Sequence, residues 1–291
     1  MMTALSTPAR TTATAASRPQ RSRWSRALRF PETAAGLVIV AALFVLGTLA
    51  PWIAPHGFDA QSSDSFAGVS ASHLLGTDEF GRDVFSRVLF GIRQDVVVAG
   101  LAVPIGGLLG IALGLLCGSH RIVDSIVQRV FDVQLAFTAL VLGVAVSATA
   151  VGPGMTAIVV TCVVVNVPLF GRLTRSAIQA QRSRDYVVAA EVVGASRGRV
   201  LLRHILPNAL DTLIVQAALS LSTAVFIEGA MSFVGIGVRP PAPSLGSLLR
   251  TSVNFLDQNP WYALGPIIVV TALVLGFNLI ADGLNRGLLR R

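Results

Sequence analysis

Hydrophobic and polar positions along this chain separate into long blocks instead of alternating at one short period. Uncharged or nearly uncharged apolar runs cover residues 34–54, 96–119, 133–171, 212–235 and 261–281, and a single acid, Glu228, interrupts the fourth. A helix needs about 20 apolar residues to cross the hydrocarbon core of a bilayer, so each run suffices for a span. The 133–171 run is about twice that length and is cut by Gly152-Pro153-Gly154, which cannot continue a helix and reads as a tight turn between two antiparallel spans. The pattern therefore predicts an all-α membrane protein with six transmembrane helices. Trp52 and Trp261, near the outer ends of their spans, suit interfacial anchors.

Between the runs lie three segments with patterns of their own. In the outer segment 55–95, Val84, Phe85, Val88, Leu89 and Ile92 form a helical stripe. Gly76 and Gly81 supply turns ahead of it, and Asp83 is placed to cap its start, so an amphipathic helix is expected along the membrane surface or against neighbouring spans. In the inner segment 172–208, Asp185 caps a short helix over 186–193 with Tyr186, Val187, Ala190 and Val193 on one face, and Gly194 ends it. Ser196 caps a second helix through Arg197, Arg203 and His204 that Pro207 closes. Small residues at Ala189 and Ala190 let a partner surface approach the backbone, so this loop reads as a plug for a groove on another protein or, equally, as a solvated basic loop. The third segment follows the fifth span and is stiffened by Pro240, Pro241, Pro243 and Pro260, which suits docking of an external protein as well as a plain connector.

Composition agrees with the blocks. Only 13% of residues are charged, against about 25% in soluble domains, and mean hydropathy is +0.70. A net charge of +8 and a pI near 11.2 would suggest a nucleic-acid partner in a soluble chain. The location of the charge decides otherwise: with the N-terminus inside, eighteen of the 23 arginines fall in cytoplasmic segments, and only Arg82, Arg87, Arg93, Arg239 and Arg250 fall outside. That is the positive-inside asymmetry, with both termini cytoplasmic. Residues 1–33 read as a disordered basic arm able to touch anionic lipid. The arm is not expected to be a cleaved signal, because the apolar stretch after it exceeds an h-region and further spans follow.

No lysine occurs anywhere in the chain, which excludes a P-loop lysine and Schiff-base chemistry. Cys117 and Cys162 lie in apolar runs and read as buried small hydrophobes, not as a disulfide or metal ligands. Catalytic motifs such as His-Glu-x-x-His and Gly-x-Ser-x-Gly are missing, and His56, His73, His120 and His204 stand near span ends or in loops. No catalytic residue and no metal site is expected. Glu228 inside the fifth span would cost about 2.5–3.5 kcal/mol unpaired, so it needs a partner, a proton or water; it either lines a path or bonds to a neighbouring subunit. Asn166 and Asn278 are placed as helix–helix contacts or path residues.

Four stretches together resemble the permease subunits of bacterial ABC peptide importers, specifically the C-type subunit of the oligopeptide, dipeptide and nickel family. They are Leu75-Gly76-Thr77-Asp78-x-x-Gly81-Arg82-Asp83-Val84-x-Ser86-Arg87; Tyr186-Val187-x-Ala189-Ala190-x-x-x-Gly194-Ala195-Ser196 with His204-Ile205-Leu206-Pro207-Asn208, similar to the EAA loop; Glu228-x-x-x-Ser232-Phe233-x-Gly235-x-Gly237; and Pro260-Trp261 with Phe277-Asn278 and Asp282-Gly283. Three positions depart from the family pattern. Thr138 follows Phe137 where the family has Pro, which puts the expected kink in question; Glu191 stands at a commonly basic position; and the chain ends on Arg290-Arg291 without the usual acidic continuation.

The resemblance implies a type I ABC importer permease fold, with residues 34–54 as first span, 55–95 as extracytoplasmic segment and 96–291 as a five-helix core carrying the coupling loop 172–208. It implies residence in the bacterial inner membrane and half of a translocation path for oligopeptides or dipeptides, or alternatively for nickel or another small solute. The implied partners are a homologous B-type permease, two P-loop ATPases and an extracytoplasmic binding protein, besides lipid and without nucleic acid. ATP and magnesium would sit on the ATPases and no cofactor on this chain, which is not itself an enzyme. Tyr186, Ala189, Ala190, Glu191, Gly194, Ala195 and Ser196 are the implied coupling residues, and Gly76, Thr77, Asp78, Gly81, Arg82 and Asp83 form the outer motif. An ion-coupled secondary transporter is the rival class, disfavoured by the scarcity of intramembrane acids.

Overall fold

The computed structural model describes residues 27–28, 30–119, 121–182 and 184–289. The arm expected over residues 1–33 falls almost wholly outside them, as does His120. Among the described residues eleven α-helices follow one another: α1 (Pro31–Thr48), α2 (Ala50–Ile53), α3 (Val84–Ser119), α4 (Arg121–Ala136), α5 (Ala139–Ser147), α6 (Met155–Arg182), α7 (Asp185–Val192), α8 (Arg197–Val200), α9 (Leu206–Val234), α10 (Leu245–Ser252) and α11 (Trp261–Leu284). Among the described residues five helical stretches are long and apolar enough to cross a membrane, and α4 with α5 supply a sixth if the pair, bent by 95°, is one span. Gly152 and Gly154 take positive φ values of 68° and 144° in the turn that precedes α6.

The stripe from Val84 to Ile92 and the second span are one helix, not a surface helix followed by a span. α3 runs unbroken for 36 residues, about 54 Å at 1.5 Å per residue. Nothing between Arg93 and Val96 breaks a helix, and the stripe has partners to bury it. Val84, Val88, Leu89 and Ile92 are buried, with Ile92 beside Gly47 of α1 and Val88 near Gly265 of α11.

Close backbone approach holds the bundle together. Along α3, Gly106, Gly110 and Gly114 recur every fourth residue, and a Cβ on each would lie 2.5–2.9 Å from a carbonyl oxygen of Val163, Val167 or Gly171 on α6. In a bilayer, where apolar contact alone gives helices little reason to associate, such small-residue seams allow the van der Waals contact that holds them. A second seam joins α1 to α11, where a Cβ on Gly36 would lie 2.5 Å from the Gly276 oxygen. Asn278 of α11 donates to Ser222 Oγ of α9 at 3.0 Å.

The third span breaks at Phe137-Thr138 although no proline is present. Thr138 has φ −69° and ψ 150°, and its hydroxyl accepts from the Val141 amide, capping α5. The bend therefore comes from an N-cap. At the inner end α4 is tied to α6 by Arg175–Asp124, with nitrogen–oxygen distances of 2.5 and 2.7 Å, by Arg172–Asp132 and by a bond from Gln134 Nε2 to the Val164 carbonyl.

Pro207 does not close the helix ahead of it. The chain passes from α8 through a π-helical turn, Leu201–Ile205, directly into α9, with Pro207 in the first turn of α9. Proline lacks an N–H, and the widened turn ahead of it accommodates the missing bond within one continuous helix from Gly198 to Val234. The wider turn re-registers the backbone, so that the Leu206 N–H donates to the Leu201 carbonyl.

Candidate functional site

The inner turn is a short helix standing on a small core of its own. Ile178 of α6, Val187 of α7, Val200 of α8, and Leu201 and Ile205 of the π turn are buried together, with Leu115 of α3, Ala190 and Ala195 against them. Four segments of the bundle therefore meet beneath α7. The face expected to carry Tyr186, Val187, Ala190 and Val193 together is split: Val187 is 1% exposed, whereas Val193 is 88% and Val192 81% exposed. The reason is local. α7 ends at Val192, so Val193 already belongs to the turn and leaves the helical register.

Gly194 takes φ +87° and a Cβ there would meet nothing within 4 Å. Its backbone conformation, not crowding, requires glycine. Ala189 is exposed beside the Val192–Val193 tip, and Ser196 is exposed ahead of α8. The Tyr186 hydroxyl donates to Gln181 Oε1 at 2.8 Å. The side chain of Glu191 lies outside the described residues.

Glu228 is fully buried within the bundle; Ser232 Oγ donates to its Oε1 at 2.7 Å, its Oε2 has no hydrogen-bond partner among the described residues, and Ser244 and the Asp95 carboxyl lie nearby. Asp95, equally buried, was hidden in the sequence at the edge of a charged segment. It comes from α3, its partner from α9, and the Leu245 amide of α10 faces it. Asn166, 1% exposed, donates to its own helix at the Cys162 carbonyl, 2.8 Å away. Both Cys117 and Cys162 are buried free thiols.

The outer motif is a buried knot of hydrogen bonds. Asp78 Oδ1 accepts from the amides of Phe80 and Arg82, each at 2.9 Å, and its Oδ2 accepts from Arg82 Nε at 2.7 Å. Thr77 Oγ1 accepts from the Ala67 amide at 2.7 Å and donates to the Asp64 carbonyl. Gly76 and Gly81 hold φ values of 73° and 69°. Asp83 caps α3 as expected: its Oδ2 accepts from the Ser86 amide at 2.7 Å and from Ser86 Oγ at 2.6 Å. Asn259, just ahead of α11, donates to the Leu75 and Thr77 carbonyls at 3.1 and 3.3 Å. The motif thus positions the outer end of the bundle. Its spacing in the sequence gives no hint of Asn259, some 180 residues on.

This helical order, with a bent third span and a short inner helix between the fourth and fifth, matches a known architecture. Residues 110–291 match the family described as binding-protein-dependent transport system inner membrane component. The chain belongs to this family. It is a multi-pass membrane protein and a component of a transport system. The permease is 37% identical over 255 residues to the dipeptide transport system permease protein DppC of Alkalihalophilus pseudofirmus, covering 87% of this chain and 84% of the relative. It is 34% identical to the di/tripeptide transport system permease protein DppC of Pseudomonas aeruginosa, covering 93% and 91%, and 34% identical to the glutathione transport system permease protein GsiD of Pectobacterium atrosepticum, covering 93% and 90%. Its fold is similar to a chain of the inward-facing MetNI methionine ABC transporter, at 18% identity and a TM-score of 0.58, covering 68% of this chain and 94% of that one.

Proposed function

We propose that this permease forms half of the translocation path of an ATP-driven ABC importer for short peptides, paired with a homologous B-type permease, seated on two P-loop ATPases and supplied by an extracytoplasmic binding protein. Relatives named for dipeptides, di/tripeptides and glutathione share the chemistry of short peptides, and they support peptide over metal as cargo. ATP and magnesium belong to the partner ATPases. This chain, without a single lysine, has no P-loop lysine with which to grip ATP.

The observation that carries the reading is the inner turn. Its apolar tip, Val192 and Val193 beside Ala189, projects from the bundle, while Val187 and Ala190 root it in a core shared with α3, α6, α8 and the π-helical turn that leads into α9. A tip of that shape fits a cleft on an ATPase. When the ATPases close on ATP the cleft moves, and a helix rooted on α3, α6 and the turn into α9 transmits that displacement as a rigid body toward the outer ends of the bundle. Tyr186, Glu191, Ala195 and Ser196 would flank the contact, and Gly194 would set the angle at which α7 leaves it. At the other end, the outer motif and the acid pair keep α3, α9 and α11 together while they move.

The test is purification of the tagged complex from its native cell, followed by uptake of a labelled dipeptide and of nickel into proteoliposomes containing ATP. Recovery with a second permease and P-loop ATPases, and ATP-dependent uptake of the peptide, is the expected result. Recovery without an ATPase would overturn the coupling assignment, and nickel uptake without peptide uptake would overturn the cargo.

A further inference from the structure

We propose that His56, His73 and Asp83 form a binding site for a borderline divalent transition metal, of the class of Zn2+ and Co2+, on the outer face of the permease. The three residues come from separate parts of the outer segment, and one donor atom from each lies within 4.8 Å of the others. His73 Nδ1 is 3.0 Å from Asp83 Oδ1. The His56 and His73 rings stack with centroids 5.0 Å apart and an angle of 25°. His56 Nδ1 is buried without a hydrogen-bond partner, although buried polar atoms as a rule have one. Two imidazoles and a carboxylate make a donor set suited to Zn2+ and its neighbours.

The surroundings prepare these ligands. Asp83 Oδ2 is already engaged by the Ser86 amide and hydroxyl, which leaves Oδ1 turned toward His73. The same Ser86 hydroxyl accepts from the His56 backbone amide at 3.2 Å, so one residue orients two ligands, as second-sphere groups do around metal ions. The His73 side chain keeps 14% of its surface exposed while Asp83 keeps 1%, so an ion has an approach from the outside. Nearby cationic charge is committed elsewhere: Arg82 pairs with Asp78 at 2.7 Å and with Glu79 at 3.5 Å. The helix dipole at the start of α3 opposes a cation and limits its affinity. A bound ion would clip the stretch after α2 to the base of α3 and stiffen the outer segment. In the sequence His73 follows His56 by 17 positions and Asp83 follows His73 by ten, a spacing that matches no known ligand motif.

This inference stands apart from the peptide-transport reading, and its test reads metal alone. The assembled complex, purified on a tag without histidine and stripped with chelator, is titrated with Zn2+ by calorimetry and with Co2+ by visible absorption. The expected result is one ion per permease chain, with affinity falling about tenfold or more in His56→Gln and again in His73→Gln, and unchanged in His204→Gln. Recovery of the variant complexes at wild-type yield verifies that they fold. Absence of stoichiometric binding in the wild type, or binding that survives both His56→Gln and His73→Gln, would overturn the site.

Discussion

Gly194 and the Asp95–Glu228 pair show how differently single residues are constrained in this protein. At Gly194 a side chain has room but the backbone, at φ +87°, disfavours one. An L-residue in the left-handed region costs about 1–2 kcal/mol, enough to unseat the end of α7 but not the bundle. Gly194→Val is therefore expected to assemble normally while peptide uptake drops severalfold relative to ATP hydrolysis, measured side by side in proteoliposomes. In the acid pair the constraint is chemical. Asp95 and Glu228 face one another without exposure, and among the described residues no basic side chain bonds to either; Arg93, two residues before Asp95, is exposed. Two carboxylates in contact repel unless a hydrogen lies between them, and an amide brings one. Asp95→Asn or Glu228→Gln, made singly, should keep yield and thermal stability close to wild type, whereas Glu228→Arg should abolish recovery of the folded chain; fluorescence-detected size exclusion after heating distinguishes the two.

Helices here are defined by what interrupts them. Thr138 breaks the third span as an N-cap, with a φ of −69° that proline also adopts. Thr138→Pro is accordingly expected to retain the fold and uptake, with loss of at most the cap's contribution of about 1 kcal/mol. A failure to assemble would mean that the hydroxyl, not the backbone angle, makes the bend. The opposite holds at the α3–α6 seam: a Cβ at Gly110 would sit 2.5 Å from the Val167 oxygen and 2.8 Å from Phe170 Cβ. Gly110→Leu should force the two helices apart and eliminate stable protein, as seen by quantifying the membrane fraction. Such seams were only half legible in the sequence. The fourfold glycine spacing of α3 is visible there, but its partner on α6 is not, because that helix offers Val163, Val167 and Gly171 with no matching glycine repeat.

Over the whole molecule, long-range polar contacts at the two ends hold an apolar middle in register. At the outer end Asn259 bonds two carbonyls of the Gly76–Thr77 turn; Asn259→Ala leaves them unpaired and is expected to lower stability by about 1–3 kcal/mol, measured as a fall in the melting temperature of the purified complex. At the inner end Arg175–Asp124 and Arg286–Glu32 join helices distant in sequence. The sequence by itself determined the number of spans, the turn at Gly152-Pro153-Gly154, the cap at Asp83 and the left-handed Gly194. It did so because length, charge and helix-ending residues are local properties. Only the tertiary structure decided that α3 runs through its charged outer turns, that the helix runs on through Pro207 instead of ending there, that Glu228 meets Asp95 and that two histidines gather at Asp83. Helices that are apolar all round carry little record of which face meets which neighbour, so those meetings are set by close packing of backbones and by the need of each buried polar group for a partner.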